Sequence, residues 1–259
     1  MASQLDFAGG NFVDGLVNGA DDTLGVADVA DVAVESPRRL VIAFVGLAFE
    51  ARIAAAPGVL VVCRTAGSEL ETVADNAVRQ GYRGMISFGV AGGLASHLRA
   101  GDWVVASSIR EAQTVRATDA VWSRKLLGLI AGAVHAPILG VDEPVAEPAK
   151  KRDLYKLTGA AAVDMESHVV ARVAAQHKLA VAAVRVVVDP AHRVVPPAAL
   201  IGMRPDGRAN VAAVLRDLVA RPSQVPPLAR IAIDAFAARA AMVRVRRQLG
   251  PYFGLMDHA

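Results

Sequence analysis

A three-layer α/β/α sandwich around a mixed, largely parallel sheet is the fold this sequence predicts. Short β-rich runs recur along the chain without strict apolar–polar alternation, as strands buried on both faces do. Amphipathic stretches of helical period separate them, which is the order that places helices on both faces of a sheet. Glycines and carboxylates gather just past the ends of several runs, where ligands collect in such folds.

The expected strands are Leu40–Val45, Val59–Cys63, Gly84–Phe88, Trp103–Ser107, Pro137–Val141, Ala160–Val163 and Val181–Val188. The expected helices are Ser68–Gln80, Ala120–Ala133, Ala149–Leu157, Met165–Gln176, Gly207–Val219 and a long one over Pro227–Leu249. Residues 40–259 read as one domain. Residues 1–39 read as an acidic, poorly ordered extension that contains the near-repeat Val26-Ala27-Asp28-Val29-Ala30-Asp31-Val32-Ala33.

The 259 residues suffice for a substantial core. They are 54% hydrophobic, yet no window of 18 uninterrupted apolar residues predicts a membrane span. The first residues lack the basic-then-apolar pattern of a signal peptide, and a single cysteine, Cys63, fits a reducing compartment, so a cytoplasmic location is expected. Cys63 lies in an apolar run and reads as core. The net charge of +3 divides into −7 over residues 1–37 and +10 over the remainder. A basic body suits an anionic substrate or membrane surface. Nucleic acid is not expected, because aromatics are sparse and no reader motif is present.

The groups able to do chemistry are few. Val163-Asp164-Met165-Glu166-Ser167 places two carboxylates at a helix start, and the run Val181–Val188 ends on Asp189-Pro190. A carboxylate at the tip of an apolar strand is costly to desolvate, so Asp189 is the candidate general acid. An Asp-Pro turn is the structural alternative. Glu166 is the candidate to bind sugar hydroxyls and offset positive charge, with Met165 over the ring, while Asp164 suits a helix cap. Arg185 lies four residues before Asp189, hence on the same strand face, and could orient a carboxylate or water. Glu50, just past the first strand, either occupies a solvated first helical turn or polarises a nucleophile. Gly89-Val90-Ala91-Gly92-Gly93 reads as a turn whose backbone can approach an anion or a ribose closely, though it lacks dinucleotide or Walker spacing. The six histidines show no metal-ligand spacing, so neither metal nor organic cofactor is expected.

Together these segments resemble the nucleoside phosphorylase and nucleosidase superfamily from about residue 40 to 220. The matching segments are Gly46 to Glu50, Ser87-Phe88-Gly89-Val90-Ala91-Gly92-Gly93-Leu94 with Ala100-Gly101-Asp102-Trp103-Val104-Val105, Val163 to Ser167, and Val184-Arg185-Val186-Val187-Val188-Asp189. The resemblance implies that Asp189 protonates purine N7 and that Glu166 and Met165 hold the ribose. It implies further that Val90, Gly92 and Gly93 lie near the sugar or acceptor, with Glu50 and Arg185 in support. The aromatic that often stacks on the purine falls near Pro144, which makes Val145 a residue of that wall. Other departures are Val90 for a usual serine, Ser87 for a phosphate-binding arginine and Val188 for a small hydroxyl residue. Phosphate as a co-substrate would then fall to Arg52 or Arg64, and water is the other acceptor.

Gly46 to Arg52 and Val163 to His168 look most like the hopanoid-biosynthesis-associated phosphorylases, to which removal of adenine from adenosylhopane is attributed. The apolar stretch Val194 to Met203 suits a hydrophobic 5′ group. The resemblance also implies a homo-oligomer, a dimer above others. The basic C-terminal helix either touches a membrane or packs on the sheet and offers its arginines to water. Two other functions fit the same residues: hydrolysis of methylthioadenosine or S-adenosylhomocysteine, and non-catalytic binding of a purine or lipid.

Overall fold

A computed structural model describes residues 40–63, 67–201 and 210–255. The expected acidic extension, Arg64 and the start of the helix expected from Gly207 lie outside the described residues. The first strand, β1 (Leu40–Val45), is flanked by two parallel neighbours, β2 (Val59–Cys63) and β3 (Tyr82–Gly93). On its other edge β3 pairs in parallel with β8 (Ala180–Asp189). The sheet continues from β8 to β4 (Trp103–Glu111), which runs antiparallel to it, and then to β6 (Val134–Gly140), parallel to β4. Two short strands complete it: β5 (Thr114–Ala117), a hairpin partner of β4, and β7 (Ala162–Asp164). The latter runs parallel to β6 and pairs with the end of β3 through Gly92 and Gly93. The sheet is therefore mixed and largely parallel, as expected.

The apolar runs are continuous because each face of the sheet has its own helical cover. Alternate residues of β1 serve alternate faces. Ile42 and Phe44 pack with Leu70, Ala74 and Ala77 of α2 (Gly67–Arg79) and with Val170, Ala171, Val173 and Ala174 of α5 (Ser167–Gln176). Val41, Ala43 and Val45 pack with Trp122, Leu126 and Ile130 in and after α3 (Ala120–Leu129), and with Met242 and Val245 of α8 (Val225–Gln248). Fixed hydrogen bonds hold that second face: the Trp122 indole donates to the Phe253 carbonyl at 2.8 Å, and Asp119 caps α3 by accepting from Trp122 N at 2.7 Å.

Four further helices are α1 (Ala48–Ala54), α4 (Pro148–Thr158), α6 (Pro197–Ile201) and α7 (Val211–Ala220). Proline starts α4, and Gly159 ends it in the left-handed conformation at φ 66°. Two expectations change. Gly89–Gly93 is not a turn: β3 runs straight through it, because β8 supplies a ladder partner as far as Gly92 and β7 another at Gly92 and Gly93. The arginines of α8 do not all face water. Arg246 is buried, stacks 4.2 Å from the Phe253 ring and donates to the Ala54 carbonyl at 3.2 Å, whereas Arg244 and Arg247 are exposed.

Candidate active site

A cavity of about 270 Å³ opens where the ends of β3 and β8 meet α1, the turn before α5, α6 and α8. Four carboxylates line it: Glu50, Asp164, Glu166 and Asp189. Its walls are apolar, among them Phe49, Val145, Met165, Leu200 and Ile231. The strand pairing explains why Asp189 reaches it. Ala91 pairs with Val187 but Gly92 pairs with Asp189, so Val188 is an extra residue, a bulge that re-aims the end of β8. Both Val188 and Asp189 consequently line the cavity. Simple alternation from Arg185 does not survive the bulge, and Arg185 lies outside the lining.

Arg185 instead organises the carboxylates. It is 1% exposed, with Nε 2.6 Å from Asp164 Oδ2 and Nη2 3.1 Å from Glu166 Oε2. Nη2 also donates to Ser87 Oγ at 2.5 Å. Asp164 in turn caps α5, accepting from Ser167 N at 2.9 Å through Oδ1 and from the Ser167 hydroxyl through Oδ2. Glu166 occupies the N-cap position rather than the first helical turn, with φ −126°. Its side chain lines the cavity while Asp164 does the capping. Two glycines make room for the cluster. A Cβ at Gly46 would stand 2.5 Å from Glu166 Oε1, and one at Gly89 would stand 2.6 Å from both Arg185 Nη1 and Glu50 Oε1.

Glu50 is buried and is not the solvated first-turn residue of the alternative reading. Its Oε2 accepts from Gly46 N and Leu47 N, and Oε1 from Val90 N, each at 2.8 Å. Burial pushes its pKa from 4.5 up to about 7, against the lowering effect of Arg185 and with a further rise from Glu166. Between pH 4.5 and about 7 the folded protein therefore holds a proton that the unfolded chain has lost. Stability from this group is complete below that window and lost as pH rises through it, by up to about 3 kcal/mol at about 1.4 kcal/mol per pH unit. Urea unfolding at pH 5 and pH 8 checks this. The difference between the two pH values should be smaller in Glu50→Gln than in the unsubstituted protein, and an equal difference would contradict the assignment.

Asp189 has a partner that the sequence did not announce. Lys151, in the first turn of α4, has a fully buried side chain with Nζ 2.6 Å from Asp189 Oδ2. The same ammonium donates to the carbonyls of Asp189, Pro190 and Arg193 at 3.1, 3.2 and 3.1 Å. Burial raises the Asp189 pKa, and Lys151 opposes that rise. In sequence Lys151 stands within Lys150-Lys151-Arg152, a run that reads as a solvated helical face.

The structure thus brings together Glu50, Val90, Gly92, Val145, Met165, Glu166 and Asp189 around one cavity, with Arg185 bonded to the carboxylates that line it. Gly93 falls outside the lining: a Cβ there would meet Val187 and Pro190, so its smallness serves packing against β8. Arg52 is exposed on α1 and absent from the lining, which removes it as a phosphate ligand in this geometry. Arg64 lies outside the described residues. Pro144 lines the cavity where an aromatic was missed.

The phosphorylase superfamily model matches residues 53–220, some two thirds of the sequence. The chain belongs to the phosphorylase superfamily. Glu50 and the α8 residues of the cavity lie beyond the matched stretch. Among solved structures, the superfamily member is similar to futalosine hydrolase of Helicobacter pylori, at 15% identity over 83% of this chain and 97% of that one, with a TM-score of 0.57. It is also similar to the 5′-methylthioadenosine/S-adenosylhomocysteine nucleosidase of Campylobacter jejuni, at 14% identity over 80% and 99% of the two chains and a TM-score of 0.54. The corresponding nucleosidase of Colwellia psychrerythraea, in complex with adenine, shares 18% identity over 60% and 84%, with a TM-score of 0.51. At these identities the likeness is one of fold. No curated protein matches the chain.

Proposed function

We propose that this superfamily member cleaves the N-glycosidic bond of a 5′-modified adenosine, adenosylhopane above all, and releases adenine. The observation that carries the reading is the convergence of Asp189 and Glu166, from different elements, on one cavity. Asp189, whose pKa burial raises, delivers its proton to N7 of the purine as the bond from N9 to C1′ breaks. The bonding electrons leave with the base, which departs neutral. The pentose is left with oxocarbenium character above three carboxylates, Glu50, Asp164 and Glu166, that share one guanidinium. Such a preorganised anionic floor favours the transition state over the neutral substrate. Met165 covers the ribose, and Val145 with Pro144 walls the purine. Glu50, when ionised, polarises the acceptor. No cofactor enters the scheme.

Size and polarity support a hydrophobic 5′ group. Ligand pockets usually run from ~300 to 1,000 Å³, so a cavity of about 270 Å³ takes a nucleoside and little more. A bulky 5′ substituent must project past Ala199, Leu200, Ile231 and Ala235, the apolar lining from α6 and α8. On α8 itself Ile233 and Phe236 stand 68% and 75% exposed, with Arg230 and Arg239 also exposed. That pairing of apolar and cationic side chains supports peripheral contact with an anionic membrane from the cytoplasmic side. Among the described residues no helix is long and apolar enough to cross a membrane. A homodimer is the assembly we propose.

Among the described residues no lysine or arginine lines the cavity, which favours water over phosphate as acceptor and keeps hydrolysis of methylthioadenosine or S-adenosylhomocysteine as the second reading. Incubation with adenosylhopane and with methylthioadenosine, each with and without phosphate, separates them when free adenine and sugar products are followed by mass spectrometry. The expected result is faster adenine release from adenosylhopane. Preference for methylthioadenosine would select the second reading. Release from neither, with ligand still bound, would leave a binding protein on an enzyme scaffold.

A further inference from the structure

The ammonium of Lys151 beside Asp189 has no part in the proposed bond cleavage so far. It is enclosed, reaches Asp189 Oδ2 at 2.6 Å, and donates to three backbone carbonyls at and after the end of β8, those of Asp189, Pro190 and Arg193. A buried ammonium is costly unless its donors are met, and here four acceptors surround three protons. We propose that Lys151 is a positioning residue for the acid step: it fixes the Asp189 carboxyl and makes that carboxyl release its proton to the purine. The inference rests on Asp189 being the acid of the proposed reaction.

The chemistry follows from which oxygen is held. Lys151 donates to Oδ2, which leaves Oδ1 for the purine. When the proton passes from Asp189 to N7, a carboxylate is left in a site that burial makes hostile to charge. The ammonium at 2.6 Å stabilises that carboxylate, so the acid is stronger than burial alone would leave it. The other charges facing Asp189 do not replace it. From α8, Asp234 opposes ionisation of Asp189, and Asp234 is itself engaged by Arg193, whose Nε and Nη2 lie 3.0 and 2.9 Å from its Oδ2. Tethering of the backbone from 189 to 193 by the same ammonium also couples the acid to the segment that enters α6.

The pH dependence of kcat/KM for adenine release tests the proposal in the unsubstituted protein, Lys151→Gln, Lys151→Met and Lys151→Arg. With Asp189 active when protonated, activity falls as pH rises through its pKa. In K151Q and K151M that limb should move upward by about one pH unit or more, while K151R returns it towards its original position. A uniform loss of activity with the limb unmoved in folded K151Q would show a structural role only and overturn the proposal. Should the variants not fold, 15N and 13C NMR of the unsubstituted protein decides. The Lys151 ammonium shift should step at the pH where the Asp189 carboxyl titrates and lose that step in Asp189→Asn; a Lys151 signal blind to that titration overturns the proposal. Failure of the underlying reading looks different, since the unsubstituted protein would then release no adenine at any pH.

Discussion

Asp189→Asn is expected to lower adenine release by at least ~10²-fold, the usual contribution of a placed general acid. The amide keeps the size of the side chain and can still accept from Lys151, but it has no acidic proton for the base. Without that proton adenine would have to leave as an anion, with the developing cation of the pentose unrelieved at the other end of the bond. Binding should change far less than turnover, because the apolar walls at Val145, Met165 and Leu200 are untouched. Single-turnover kinetics with a 5′-modified adenosine, alongside equilibrium binding of the same compound, measure both. An unchanged rate in this variant would remove Asp189 from the acid role whatever else the cavity does.

The second large effect concerns Arg185. Replacing it with methionine leaves Asp164 and Glu166 without their buried cation, and takes from Glu50 the neighbour that most favours its ionised form. Removal of one partner from a buried ion pair typically costs about 3 to 5 kcal/mol. The uncompensated carboxylates can recover part of this by taking up protons, so Arg185→Met should be more destabilised at pH 8 than at pH 5. Lysine is a poor substitute, because a single ammonium cannot serve Asp164, Glu166 and Ser87 together as the guanidinium fork does. Urea unfolding of both variants at the two pH values tests this. Stability equal to the unsubstituted protein in Arg185→Met would mean that the cluster is held by packing alone.

Much of this arrangement was legible in the sequence, for identifiable reasons. The seven predicted strands were visible because each is a short apolar run, a signal that needs no partner to be seen. Asp189 and Glu166 stood out because a carboxylate beside such a run is energetically conspicuous. What escaped depends on contacts distant in the chain. The hairpin strand β5 has exposed residues and a turn through Ala112 at φ 49°, a position where glycine or asparagine would have signalled a reversal. The glycines at 89, 92 and 93 looked like a turn because their neighbours on β7 and β8 are invisible locally; Gly89 is small to admit Arg185 and Glu50. The bulge at Val188 has no signature of its own. Lys151 was the least legible of all, since one lysine in a basic helical run is buried only when the backbone after Asp189 folds over it.

Cleavage by these residues requires a nucleoside lying across the cavity with its base at Asp189 and its pentose over the carboxylates. A crystal structure with a non-cleavable 5′-substituted adenosine analogue tests this most directly. N7 is expected within hydrogen-bonding distance of Asp189 and the ribose hydroxyls at Glu166, with the 5′ group leaving between α6 and α8. A purine seated away from Asp189, or an analogue bound outside this cavity, would contradict it.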